Sequence, residues 1–135
     1  MELKHGSFFT GIDVFGEAAK QAGMSNVFGC EIDPVTRLHF TERNPGAILY
    51  DDIKTVETVP YVDILTFGFP CQDVSNAQPV KNYYPLENGT RTILIWEAMR
   101  IIRNAEKKPP FIVAENVNAI RSKGLEKILE AFATC

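Results

Sequence analysis

Short apolar runs alternate with amphipathic stretches along the whole chain. Ser7-Phe8-Phe9 reads as a short strand entering a turn at Thr10-Gly11. From Val14 to Ala22 the apolar residues Val14, Phe15, Ala18, Ala19 and Ala22 recur at helical spacing, and Gly23 is a stop. Asn26 to Ile32 is a second strand, and Pro34, at a first helical position, opens a helix running to about Arg43. Ala47-Ile48-Leu49 and Val62 to Phe67 are a third and a fourth strand. Thr92 to Ala105 is amphipathic at helical period, Phe111-Ile112-Val113-Ala114 is a fifth strand behind Pro109-Pro110, and Leu125 to Phe132 begins a last helix. Strands alternating with helices predict an α/β fold, a mainly parallel sheet with helices on both faces. Asp73 to Gly89 is polar and without period, with Pro79, Pro85 and Asn88-Gly89 in it. It reads as a loop, long enough to be either a functional lid or a disordered segment.

Composition narrows the class. At 135 residues, 45% hydrophobic and 23% charged, the chain has the make-up of one soluble domain or part of one. A net charge of −3 leaves no global basic surface, so phosphate neutralisation by this segment alone is not expected. Three cysteines, Cys30, Cys71 and Cys135, with no CxxC pair, indicate neither a disulfide framework nor a zinc site. Met1-Glu2-Leu3-Lys4-His5 lacks an apolar signal run, and no segment approaches the ~20 apolar residues of a membrane span. A cytoplasmic location is the expectation.

Three constellations carry candidate chemistry. Tyr61 to Thr66 followed by Phe67-Gly68-Phe69-Pro70-Cys71-Gln72 is a strand ending in a Gly/Pro turn that presents one cysteine. The carboxyl end of such a strand is where open α/β sheets do chemistry, and a partly exposed thiolate there is a candidate nucleophile. Thr10-Gly11-Ile12-Asp13 precedes a helix, and Glu31 lies twenty positions after Gly11 at the end of the next strand. A glycine turn with an acidic residue that far on suits a ribose-bearing ligand. The glycines are too sparse for a pyrophosphate, which favours a ligand such as S-adenosylmethionine. An ordinary strand–helix turn plus a surface carboxylate gives the same pattern. Asp51-Asp52-Ile53 could offer a carboxylate and an apolar wall to an adenine, or be a solvated turn. Finally, Glu115-Asn116 falls at the end of the fifth strand, on the same sheet edge as Cys71 if the strands are parallel. A thiolate with a carboxylic acid beside it suits addition to an electron-poor ring.

Taken in order, Ser7–Gly23, Cys30–Pro34, Asp51–Ile53, Gly68-Phe69-Pro70-Cys71-Gln72 and Glu115-Asn116-Val117 resemble the motifs of DNA (cytosine-5)-methyltransferases. The resemblance implies a Rossmann-like S-adenosylmethionine-dependent methyltransferase fold with S-adenosylmethionine as methyl donor. It implies donor contacts from Phe9, Thr10, Gly11, Ile12, Glu31, Ile32, Asp52, Ile53, Gly68 and Leu94. Glu31 would hold the ribose, Ile32 pack on the adenine, and Asp52 and Ile53 read its edge. Cys71 would add to C6 of a cytosine flipped out of double-stranded DNA, with Glu115 at N3. Pro70 would shape the turn and Asn116 hold the site together. The chain departs from the family at Asp13, Val14 and Ile93, where small residues are favoured. Asp13 could face the ligand's amino group, while Val14 and Ile93 could narrow its pocket.

Nothing up to Cys135 supplies the family's Gln-x-Arg-x-Arg segment, its target-recognition domain or its carboxyl-terminal helix. Residues 1–135 are therefore expected to be the amino-terminal part of a catalytic domain, with an incomplete sheet and with Leu125, Ile128, Leu129 and Phe132 lacking a strand to pack under. DNA would be engaged through the missing recognition domain or a complementing second chain. A non-catalytic S-adenosylmethionine-binding remnant and one half of a split enzyme are the alternatives. A thiol hydrolase pairing Cys71 with His5 or His39 is disfavoured, because neither histidine lies near the carboxyl end of a strand. Cys30, among apolar neighbours, reads as a packed thiol.

Overall fold

Every strand pairing in the sheet is parallel. The computed structural model describes residues 2–69, 94–116, 120–123 and 125–134. Pro70, Cys71, Ile93 and the predicted loop from Asp73 to Gly89 lie outside the described residues. The strands are β1 (Lys4–Phe8), β2 (Ser25–Cys30), β3 (Ile48–Tyr50), β4 (Ile64–Gly68) and β5 (Phe111–Glu115). The helices are α1 (Val14–Gln21), α2 (Pro34–Arg43), α3 (Leu94–Asn104), α4 (Ile120–Lys123) and α5 (Leu125–Ala133). The sheet order is β3-β2-β1-β4-β5, so the chain runs outward in one direction to β3, returns across β1 and continues to β5. That reversal between β1 and β4 is the topological switch point of an open α/β sheet.

The predicted elements are present with shifted ends. β1 reaches back to Lys4 because the buried His5 finds partners on both neighbouring strands. β2 stops at Cys30, leaving Glu31 and Ile32 in the loop, where the Glu31 carboxylate accepts the N–H groups of Gly11 and Asp33. Two features carried no periodic signal: the short helix α4 and a 3₁₀ turn at Ile53–Thr55, where the Asp52 side chain accepts from the Lys54 N–H. α2 begins as its sequence dictates, with Asp33 accepting from the Val35 and Thr36 N–H groups ahead of Pro34. Among the described residues no helix is long and apolar enough to cross a membrane.

The two faces of the sheet differ in chemistry. Phe8, Phe28, Leu65 and Phe67 are buried on one face under Ile95, Ala98, Met99 and Ile102 of α3 and Ile128 of α5. The rings of Phe8 lie 5.5 Å from Phe28 and 6.3 Å from Phe67, and Phe132 of α5 stacks on Phe67 at 5.9 Å. The last helix therefore does have a surface to pack on: Ile128 and Phe132 are held, and Leu129 is left exposed. β1 shows an irregular register, His5 opposite Asn26 and Gly6 opposite Phe28, which keeps His5 and Asn26 together on the other face. That face carries His5, Ser7 and Thr66, all buried.

Close packing demands glycine at Gly6 and Gly29. A Cβ on Gly6 would sit 2.7 Å from Phe28 Cδ1, and one on Gly29 2.6 Å from Phe40 Cε2. Gly6→Ala is expected to lower stability by about 1–3 kcal/mol through overpacking. Urea unfolding of Gly6→Ala alone and combined with Phe28→Leu checks this, since the smaller side chain should restore part of the loss.

Candidate active site

The carboxyl ends of β1 to β4 surround a cavity of about 340 Å³ lined by Phe9, Cys30, Glu31, Ile32, Asp51, Asp52, Ile53, Lys54, Gly68 and Leu94. That volume falls in the range of about 300–1,000 Å³ typical of small-molecule sites. The turn after β1 bends the chain over it, with positive φ at Phe9 (52°), Gly11 (56°) and Asp13 (66°). Left-handed backbone costs about 1–3 kcal/mol at a residue such as Phe9 and less at Asp, so the surroundings must impose it. They do so from β2. Thr10 N donates to the Cys30 carbonyl at 3.0 Å, Cys30 N donates to Thr10 Oγ1 at 3.1 Å, and Gly11 N donates to Glu31 Oε2 at 2.7 Å.

Glu31 is thereby oriented before any ligand arrives. Its second oxygen accepts from Asp33 N at 2.9 Å, and each carboxylate oxygen retains a further lone pair for a hydroxyl donor. Ile32 is 69% exposed yet lines the cavity, an apolar surface open to a flat ring. Across from it, Ile53 is buried and Asp52 is fixed by its cap to Lys54 N at 3.0 Å. The 3₁₀ turn carrying them is braced by Arg100 of α3, whose Nη2 donates to the carbonyls of Ile53 (3.2 Å) and Val56 (2.9 Å). Arg100 also pairs with Glu97 at 2.8 Å. Nothing in the helical period of Thr92 to Ala105 signals this bracing role of Arg100.

The carboxylates Glu31, Asp51 and Asp52 outnumber the single Lys54 in the lining. With a ribose-ready carboxylate and an exposed apolar wall, this donor set fits an adenosine-bearing cation such as S-adenosylmethionine. Of the other expected contacts, Thr10 is buried and turned inward, and Ile12 is 66% exposed in a separate groove with Val14, Glu17, His39 and Arg43. Val14 faces that groove as well, so it does not narrow the cavity at the strand ends. Asp13 is turned away from the cavity too. Its carboxylate is buried and accepts from Asn44 Nδ2 at 2.7 Å, which leaves it unavailable to a ligand amino group there. Helix α1 buries Gly16 and Ala19 and leaves Val14 and Ala18 exposed, a rotation from the apolar face that the spacing predicted.

At the far side of the cavity, Gly68 and Glu115 are register partners on β4 and β5. A Cβ on Gly68 would stand 3.1 Å from Glu115 Oε2, so glycine leaves room for that carboxylate. Asn116 Nδ2 donates to the Phe69 carbonyl at 2.8 Å, fixing the backbone that leads toward Pro70-Cys71. Cys30 is a different kind of thiol: burial first, then the nearby Glu31, Asp52 and Asp51 charges, push it up to about 12. At neutral pH it is protonated and inert.

His5 titrates in the opposite sense. Burial pushes its imidazole below the usual 6.5, outweighing the Asn26 hydrogen bond and the distant Asp13 charge. A depressed folded-state pKa means that the stability contributed by neutral His5 is complete above about 6.5 and is lost as pH falls below it. The Asp13 carboxyl is raised above 3.8, mainly by burial, and acts with the opposite sign at lower pH. Urea midpoints from about pH 7.5 to about pH 5 should therefore fall more steeply for the wild type than for His5→Gln. Parallel slopes would contradict this assignment.

Comparison with known proteins shows the family from sequence and the fold from solved structures. A family model described as C-5 cytosine-specific DNA methylase matches residues 3–134. The Type II methyltransferase M2.BsuMI of Bacillus subtilis is 32% identical over 117 residues, covering 85% of this chain and 29% of that protein. The Type II methyltransferase M.HhaI of Haemophilus parahaemolyticus is 32% identical over 132 residues, covering 95% of this chain and 38% of that protein. Among solved structures, the S. pombe Dnmt2 methyltransferase superposes with a TM-score of 0.70 at 16% identity, over 100% of this chain and 41% of that one. An E. coli prophage-encoded protein, described as a candidate DNA modification methyltransferase, gives 0.73 at 21% identity, over 98% and 37%. The chain thus spans less than half the length of each of these relatives.

Proposed function

The chain belongs to the C-5 cytosine-specific DNA methylase family, and we propose that it carries the methyl-donor site and the nucleophile-bearing part of a DNA (cytosine-5)-methyltransferase. The observation that carries this reading is the cavity at the strand ends. There Glu31, held by two backbone N–H groups, faces an apolar Ile32 and the Asp52-Ile53 turn. Glu31 binds the ribose hydroxyls, Ile32 packs on the adenine, Asp52 and Ile53 meet its edge, and Phe9, Gly68 and Leu94 close the walls. Bound there, S-adenosylmethionine would supply the methyl group that C5 of a cytosine accepts, the electron pair of the broken S–CH3 bond staying on the departing sulfur.

The remaining chemistry belongs to side chains of this chain. The Cys71 thiolate adds to C6 of a cytosine turned out of the duplex, and the displaced electron pair moves into the ring. Glu115 holds the ring at N3, where that charge collects, and the C5 carbon becomes nucleophilic. Once C5 carries the methyl group, loss of the C5 proton to a base or water returns electrons to break the C6–Sγ bond and free the thiolate. Pro70 shapes the turn bearing Cys71, and Asn116 steadies it through the Phe69 carbonyl. Residues 1–135 are in this reading the amino-terminal part of the catalytic domain. Recognition of the DNA sequence lies in the length of the relatives that the chain does not span, on the same polypeptide or on a complementing one.

Calorimetry with S-adenosylmethionine and transfer of a labelled methyl group to double-stranded DNA, with the remaining motifs supplied in cis or in trans, test this. Glu31→Ala is expected to weaken donor binding about 10- to 100-fold by removing charge-assisted hydrogen bonds. Cys71→Ser is expected to bind the donor normally and transfer nothing. Equal loss of binding in both variants would sink this division of labour, and donor binding without transfer in the wild type would leave a binding module.

A further inference from the structure

A run of polar side chains, buried except for the half-buried Asn26, crosses the face of the sheet beneath α1 and α2, and its hydrogen bonds all point one way. Asn44 Nδ2 donates to the Phe40 carbonyl at 3.0 Å, an atom that can only accept, so the amide nitrogen of Asn44 is fixed. The same nitrogen donates to Asp13 Oδ2, and Asn44 Oδ1 must accept from Asn26 Nδ2 at 2.7 Å. Asn26 Oδ1 is then left to accept from His5 Nδ1 at 2.8 Å, which places the imidazole proton on Nδ1. In a neutral ring Nε2 is the acceptor, and the Thr66 hydroxyl donates to it at 2.9 Å. Every donor faces Asp13, so the aligned dipoles reinforce one another and converge on its buried carboxylate.

Asp13 is also the residue at the first cap of α1, in left-handed backbone, one step from the Gly11-Ile12 turn. Among the described residues its other oxygen, Oδ1, makes no hydrogen bond of good geometry; it lies over Gly16, whose backbone N–H helps hold the carboxyl down and where a Cβ would stand 2.6 Å from Asp13 Cγ. The short bond from Asn44 is thus the main hold on this carboxylate, with its own helix contributing only the Gly16 backbone N–H.

We propose that Asp13 and Asn44 are positioning residues for the methyl-donor site, the one-way chain from Thr66 through His5, Asn26 and Asn44 to Asp13 holding the turn after β1 in its ligand-ready shape. This rests on the cavity being the donor site. The chain spans β1, β2 and β4 and reaches both helices, so it also ties that turn to the strand leading to Gly68 and Phe69. None of its five side chains lines the cavity, so its effect on a ligand there is exerted through the backbone.

Two measurements on the full chain test it. Side-chain 15N spectra should show His5 as the neutral Nδ1–H tautomer at neutral pH; the Nε2–H tautomer would overturn the chain's direction and the proposal with it. Calorimetry with S-adenosylmethionine should show Asp13→Gly binding about tenfold more weakly while keeping the wild-type circular dichroism, because glycine accepts the backbone angle but offers Asn44 nothing. Asn44→Ala should weaken binding similarly, and Asp13→Asn, which keeps an acceptor for Asn44, should recover most of the affinity. Wild-type affinity in Asp13→Gly would overturn the positioning role alone. No binding by the wild type would overturn the donor-site reading itself, and the positioning role with it.

Discussion

β1 is hydrogen-bonded along both edges to parallel partners, β2 on one side and β4 on the other. Parallel pairing forces all three strands to deliver their carboxyl ends to one rim of the sheet. The connections then leave that rim in opposite directions, because the order reverses at β1. A gap between diverging loops is the geometric result, and the Phe9, Glu31, Asp52 and Gly68 positions border it. Had β1 been an edge strand, the same residues would have been strung along one side with nothing to enclose. The site is a property of strand order before it is a property of any side chain.

That rim is stiffened unequally by the two faces beneath it. On one side an aromatic stack of Phe8, Phe28, Phe67 and Phe132 is sealed by α3 and α5, a cohesive but non-directional packing. On the other, His5, Thr66, Asn26 and Asn44 form directional contacts that specify where each backbone segment stands. Apolar burial supplies cohesion, and the polar face supplies register. A purely apolar second face would have left the strained turn after β1 with only its hydrogen bonds to β2 to hold it.

Much of this was legible in the amino-acid sequence, for physical reasons that differ between elements. Short apolar runs between turn-forming residues located all five strands, including β3 and β5, which bury little of their own surface. Asp33-Pro34 marked the start of α2 through backbone capping, which is local and therefore written locally. The spacing from Gly11 to Glu31 marked both as candidate ligand residues, and the fold joins them by a 2.7 Å hydrogen bond that the spacing did not foretell. What stayed hidden were contacts whose partners are far apart in the chain. Arg100 braces a turn more than forty residues earlier, and Asn44 reaches back to Asp13 across thirty-one positions. A histidine and two asparagines give no periodic signal, so the polar face was invisible. The rotation of α1 was misjudged for a related reason: small apolar residues around the helix left its buried side undetermined, and the choice fell to Gly16 and its neighbours.

Two glycines on the sheet have a consequence for how the sequence can drift. Gly6 stands under the Phe28 ring and Gly29 under the Phe40 ring, each leaving less space than a methyl group occupies. Neither glycine is needed there for its backbone angle, since neither has positive φ. Each glycine–phenylalanine pair therefore behaves as one heritable unit. A larger residue at the glycine is blocked until the ring shrinks, and a smaller residue in place of the ring opens a void that rewards the larger partner. Descendants of this sequence should change both members of a pair or neither, even where every residue of the cavity at the strand ends stays the same.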